Sequence, residues 1–415
     1  MNKKRKVLIG SLLIDGTGTD PINNSAIIVE NGIITFVGKT EKVKFSSEDD
    51  VIDLGEAVIL PGLIDCHVHY GGTESPHDKD WVLESDLQQA MISISQAQKS
   101  MNYGFTTVRD ISGNGIYLRN MINKGTVKGP RIIACGKGLS RTGGHGDAYE
   151  VPLEKAMVSH PWAIICDGEE EIRKGVRGLI KEGSDCIKLW ATGGGLWEKE
   201  RETDQHYNLS EISMMVEEAK YAGIPVAAHC ECLSGTKDSI KAGVNSIEHG
   251  EELDDECLEM MKQKDISLVP TFGLFIDWFS EYDPPYRESQ ALYPGDTIRE
   301  KELNRITANL RAAKEAKIRI AVGADSFCDS LTPYGEYTLN EIRALVSGGL
   351  TPMEALVAAT KSGAEVLRVD HITGTLAVGK YADIIIMKKN PLDDIVNMNY
   401  DNIYMVMKKG EIVRK

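Results

Sequence analysis

The chain has 415 residues, 42% apolar and 26% charged, a globular composition too long for one ordinary core. Forty-seven Lys and Arg against 62 Asp and Glu leave a formal charge of −15, which argues against broad contact with nucleic acid or an anionic membrane, since both need a basic surface. No run of 18 apolar residues occurs, so no transmembrane helix is expected.

At the start, Lys3-Lys4-Arg5-Lys6 precedes a short apolar run that stops at Asp15-Gly16, a turn signal. This reads as a strand and not as a secretory leader, which needs a longer apolar stretch and a small-residue cleavage site. Residues 6–14, 25–30, 33–38 and 51–54 read as short strands, with Asn31-Gly32 as the hairpin turn between the second and third. The tail repeats the style, with strand-like runs at 382–387, 404–408 and 411–413. Both ends are therefore expected to build one small β-sandwich, from residues 1–58 plus 371–415.

The middle, 59–370, alternates apolar runs with helical patterns. The runs are 58–69, 106–110, 131–136, 186–191, 225–230, 246–249, 267–271 and 320–325. Helical stretches include 210–222, 254–264, 298–316, 339–347 and 352–359. Eight strands in about 310 residues predict an α/β fold, a (β/α)8 barrel with long loops. A doubly wound open sheet fits less well, because no G-x-G-x-x-G follows an early strand. Eight cysteines are scattered without any C-x-x-C pair and read as reduced, buried thiols of a cytoplasmic protein.

Chemistry concentrates where the runs end. His67 and His69 close the first run, and side chains two apart on a strand face the same way. His229 closes the fifth run, His249 the sixth and Asp325 the eighth, while Lys188 interrupts the apolar fourth. Each alone has an ordinary reading as a core histidine, a helix-capping aspartate or a snorkelling lysine. Together they put six polar groups at strand mouths, where barrel enzymes keep their active sites, and burying them without a ligand would cost several kcal/mol.

The arrangement resembles the amidohydrolase superfamily, in particular its imidazolonepropionase- and prolidase-like (Xaa-Pro dipeptidase-like) metal-dependent members. The segments that carry it are 61–69, 134–147 with Thr142-Gly143-Gly144-His145-Gly146-Asp147, 185–194, 226–229, 246–250, 322–326 and the tail 374–383, so the likeness spans essentially the whole chain. It implies a binuclear centre of two divalent metal ions, usually zinc. His67, His69 and Asp325 would hold one ion and His229 and His249 the other, with N-carboxylated (carbamylated) Lys188 bridging both. The implied reaction is hydrolysis of a C–N bond by a hydroxide shared between the metals, with Asp325 as base and then acid.

The same resemblance implies that His145 is a catalytic and substrate-contacting residue, with a mobile loop histidine as the alternative. Arg141 is a candidate to bind a substrate carboxylate, with a surface salt bridge as the alternative. Glu231 either favours a cationic group or pairs with a nearby basic residue. His77, His160, His206 and His371 match no ligand position and read as structural. Residues 193–197 and 272–293 are candidate lids over the metals or oligomer contacts, and the resemblance leaves room for a homo-oligomer. The expected partner is a small-molecule substrate: a dipeptide or N-acyl amino acid first, with carbamates, lactams and other small amides open. Deamination is disfavoured by Lys188, and a non-catalytic scaffold by the complete ligand set.

Overall fold

The computed structural model describes residues 5–147, 151–155, 162–194, 200–201, 203–277 and 296–415. β1 (Lys6–Leu13) is followed by the antiparallel β2 (Ile22–Glu30) and β3 (Ile33–Lys39). Asn31 and Gly32 both take positive φ at the hairpin, 53° and 83°, as an Asn-Gly turn requires. β4 (Asp50–Asp53) runs parallel to the first half of β1, and β5 (Val58–Pro61) pairs with its end.

The barrel strands follow. They are β6 (Leu63–Val68), β7 (Phe105–Asp110), β8 (Arg131–Ala134), β9 (Gly138–Ser140), β10 (Ala163–Ile165), β11 (Ile187–Trp190), β12 (Val226–Cys230), β13 (Ser246–His249) and β14 (Ser267–Val269). β6–β7–β8 form one parallel ladder, and β9–β11–β12–β13–β14 another, with β10 on the outer side of β9. Residues 320–326 fill the eighth position by single bonds: Leu268 N–H donates to the Arg319 carbonyl, Cys66 N–H to Val322 and Asp325 N–H to His67. The third strand is broken, so that β8 pairs with β7 while β9 pairs with β11, and Asp185 N–H donates to the Ala134 carbonyl across the seam. The architecture is a (β/α)8 barrel with a small sheet domain.

β15 (Ile384–Met387), β16 (Ile403–Lys408) and β17 (Glu411–Arg414) return to the terminal sheet, β15 lying antiparallel to β5. The two chain ends thus share one sheet of eight strands, ordered β17-β16-β15-β5-β1-β2-β3 with β4 beside β1. It packs over its own core of Leu8, Leu13, Ile27, Ile59, Ile384, Ile386 and Met405. Where the sequence suggests a two-layer sandwich, one continuous sheet curls until Ile33 bridges to Tyr381. Residues 58–61, which read as the opening of the first barrel strand, belong to this sheet. The run breaks at Gly62, where any Cβ would lie 2.2 Å from Thr106 Oγ1.

The helices cover the barrel's outside. Leu209–Tyr221 starts with a capping box in which Asn208 accepts from Glu211 N–H and Glu211 reaches back to Asn208 N–H. Pro352–Val357 uses Thr351 and Glu354 in the same way. Among the described residues no helix is long and apolar enough to cross a membrane.

One ion pair ties barrel to sheet. Arg131 Nη1 donates to Asp383 Oδ2 at 2.9 Å, and Asp383, fully buried, also accepts from Thr373 Oγ1 and from Lys409 N–H. Removing one partner of a buried pair strands the other charge. Asp383→Ala should therefore lower unfolding stability by about 3–5 kcal/mol in urea titration. A loss below about 1 kcal/mol would mean that the pair is not the clamp.

Candidate metal centre

The end of β6 presents His67 and His69, both buried, beside the mouth of the eighth strand. His69 Nε2 lies 2.9 Å from Asp325 Oδ1 and His67 Nε2 3.5 Å from the same oxygen. Asp325 Oδ2 reaches 4.0 Å from His249 Nε2. The ligand atoms form two groups, His67–His69–Asp325 and His229–Glu231–His249, each within 4.8 Å. Lys188, with no exposed surface, stands 3.3 Å from His67 Nε2. The geometry brings together all six side chains that the sequence singles out as ligands.

What orients them is the other ring nitrogen of each histidine. His67 Nδ1 lies 2.9 Å from Glu248 Oε2, His69 Nδ1 2.8 Å from the Ile111 carbonyl and His249 Nδ1 2.7 Å from Thr271 Oγ1. His229 uses Nε2 instead, 3.2 Å from the Gly193 carbonyl. Glu248 is itself held by Arg109 Nη2 at 2.6 Å and by Ser246 Oγ, while Arg109 Nε donates to the Cys66 carbonyl. With one nitrogen engaged by an acceptor, the other keeps its lone pair for a ligand.

The backbone is strained where this happens. His249, Thr271 and Asp325 all sit at positive φ, 66°, 45° and 57°, at the ends of the sixth, seventh and eighth strands. Left-handed non-glycine residues are uncommon and cluster at functional sites.

Electrostatics follow from burial. Desolvation, then the Lys188 charge, pushes His67 down to about 4, and desolvation keeps His229 and His249 neutral. Burial also lowers the Lys188 amine from its ordinary range. Desolvation works to raise Asp325, but His67 and His69 outweigh it and hold the carboxyl well below its usual value.

Buried neutral imidazoles around a carboxylate fit a divalent cation of the zinc type. An ammonium has no lone pair and fits only after it becomes a carbamate.

Around this centre, His145 stacks on His229 with ring centroids 4.5 Å apart, and its Nδ1 lies 3.0 Å from both oxygens of the buried Glu200. Glu231 Oε1 lies 3.4 Å from His229 Nε2, which puts this candidate substrate residue inside a metal-competent group. Arg141 is half-buried and donates through Nη1 to the Thr142 carbonyl. His206 is buried beside His145. Of the candidate lids, residues 195–197 and 278–293 lie outside the described residues, as does His160. Glu248, Arg109, Thr271 and Glu200 are the site residues that sequence reasoning missed.

A model of the amidohydrolase family matches residues 58–413. Ochratoxinase of Aspergillus niger is 31% identical over 410 residues, covering 94% of this chain and 83% of the relative. Its crystal structure superposes with a TM-score of 0.89 at 28% identity, over 100% of this chain and 96% of that one. A Xaa-Pro dipeptidase solved with methionine in its active site gives 0.84 at 30% identity, over 99% and 100%. A prolidase complexed with N-methylphosphonate-L-proline gives 0.87 at 26%, with the same coverage.

Glu248→Gln keeps the shape but removes the charge that holds His67 Nδ1–H and balances Arg109. Outer partners of metal-binding histidines are worth 10–100-fold in affinity, so metal affinity measured against a competing chelator should fall by about that factor. Unchanged affinity would exclude Glu248 from orienting the ligand.

Proposed function

Because the chain belongs to the amidohydrolase family and is a hydrolase acting on carbon–nitrogen bonds, we propose that it cleaves the amide of a dipeptide or N-acyl amino acid at a binuclear zinc centre bridged by carbamylated Lys188. The observation that carries this is the convergence of two buried ligand groups on Asp325, with Lys188 wholly buried beside His67. Carbamylation joins the neutral Lys188 amine to CO2 with loss of one proton (two counted from the ammonium form) and yields an anionic oxygen donor.

When bound, the metals polarise the scissile carbonyl and acidify water. The chain's own residues do the rest. Asp325 is the carboxylate at the centre of the group; it accepts a proton from the attacking water and returns it to nitrogen as the C–N bond breaks. His145, steadied by Glu200 and by stacking on His229, orients the substrate.

Substrate class is supported by the two neighbours whose bound molecules, methionine and a proline derivative, carry an amino-acid carboxylate. Arg141 is the cation that opens the loop after the third strand and would take that carboxylate. All eight cysteines are buried and free, which supports a reducing, cytoplasmic setting.

Lys188→Ala should lower bound metal and turnover together, with partial rescue by short carboxylic acids that replace the missing oxygens. Two full metal equivalents and normal turnover in that variant would exclude the bridge. A library of dipeptides and N-acyl amino acids, each paired with its C-terminal carboxamide, tests the substrate. Capping should lower kcat/KM at least about tenfold, or about 1.4 kcal/mol, and Arg141→Ala should erase most of the difference. Equal rates for capped and uncapped substrates would favour carbamates, lactams or other small amides.

A further inference from the structure

Two N–H donors beside the metal centre have no acceptor among the described residues. Nε of Arg141 and Nε2 of His206 are both buried and lack a hydrogen-bond partner among the described residues. His206 is only 7% exposed. Its tautomer follows from its other nitrogen: Nδ1 accepts from the His145 backbone N–H at 3.4 Å, so Nε2 carries the hydrogen. Desolvation and the nearby Arg141 charge push its pKa down to about 4, so the ring is a neutral donor.

An unmet buried donor costs about 1–3 kcal/mol, and most buried polar groups find a partner. Two such donors, near enough for the Arg141 charge to act on the His206 ring, suit an anion.

Both residues stand on braced backbone. His206 N–H donates to the Ala191 carbonyl at the end of the fourth strand, Thr192 bridges to Gln205, and Gly193 N–H donates to the Asp204 carbonyl. On the other side, Thr142 is tied to Asp167 through N–H and Oγ1, Gly143 N–H donates to Asp147, and Gly144 N–H returns to the Arg141 carbonyl. The carboxylate already nearby, Glu200, is engaged by His145 Nδ1 through both oxygens. From His206 the contacts lead through His145 to His229, hence to the metal group.

We propose that His206 Nε2–H and Arg141 Nε–H together receive the substrate's α-carboxylate, one oxygen each, which makes His206 a specificity-determining residue. This rests on the amide-hydrolase reading above and deepens it, because it names a neutral donor that works alongside the arginine. The pair holds the leaving-group side of the substrate in place while the amide carbon meets water.

The test compares the metal-loaded enzyme with His206→Phe and His206→Gln, using N-acetyl-L-methionine and N-acetyl-L-methioninamide as substrates and L-methionine and L-methioninamide as calorimetric ligands. In the parent the acid should be preferred at least about tenfold. His206→Phe should shrink that ratio at least fivefold, mainly through a higher KM for the acid, and should weaken L-methionine binding by a similar factor. His206→Gln, which keeps an N–H donor, should recover part of both, and it also serves if His206→Phe folds poorly. A parent that prefers the acid while both variants keep the full ratio and the L-methionine affinity would overturn the role of His206 and leave the amide-hydrolase reading standing. A parent that hydrolyses both substrates equally would overturn the carboxylate site altogether. A parent that hydrolyses neither but binds L-methionine in a His206-dependent way would retain the site and overturn the amide-hydrolase reading.

Discussion

The site depends on one buried contact chain: Arg109 to Glu248 to His67. Arg109 comes from β7, Glu248 from β13 and His67 from β6, so the chain crosses the barrel interior and ties three strands that are not all neighbours. Arg109 also donates to the Cys66 carbonyl and to Ser246 Oγ. Charges this deep gain little net stability, because desolvation consumes most of their attraction. Their contribution is placement. A carboxylate with no exposed surface fixes the proton on one nitrogen of His67 and so the direction of the other.

The same economy governs the rest of the ligand set. A histidine whose second nitrogen already has an acceptor cannot rotate without losing a buried hydrogen bond, and Ile111, Thr271 and Gly193 supply those acceptors from three different strand ends. The left-handed turns at His249, Thr271 and Asp325 are the backbone side of this arrangement. A regular strand would keep running outward, whereas a left-handed residue at its end turns the side chain in towards the axis. The cost, of order 1–3 kcal/mol for each such residue, is borne by the packed barrel below.

Which of these features were legible in the sequence follows a physical rule. His67, His69, Lys188, His229, His249 and Asp325 stand out because each breaks or ends an apolar run, and the hairpin at Asn31-Gly32 because its turn needs two positive φ angles. Glu248 and Arg109 lie inside β13 and β7, which are buried on every side, so no alternation marks which face a residue takes. For the same reason the apolar run from Val58 hides the passage from sheet to barrel at Gly62. Glu200 sits in a polar loop without periodicity, and only the fold brings it to His145. His206 reads as structural in the sequence because it matches no ligand position; that its Nε2 lacks a partner among the described residues is visible only once its neighbours are in place.

The described parts of two loops beside the centre are braced by hydrogen bonds of their own. The segment after the third strand is tied by Asp167 and Asp147, and the one after the fourth by Asp204 and Gln205. Hydrogen bonds of this kind pre-organise Arg141, His145 and His206, so that binding spends little free energy on ordering them. On the proposed reading, an acidic chain would recognise an anion despite its overall charge of −15, because recognition would rest on two buried donors and not on the field of the surface. Glu231 is placed with His229 and His249 within reach of a cation. A substrate with its carboxylate turned to the donors would present its amide towards the metal-competent group, because the contacts run from His206 through His145 to His229.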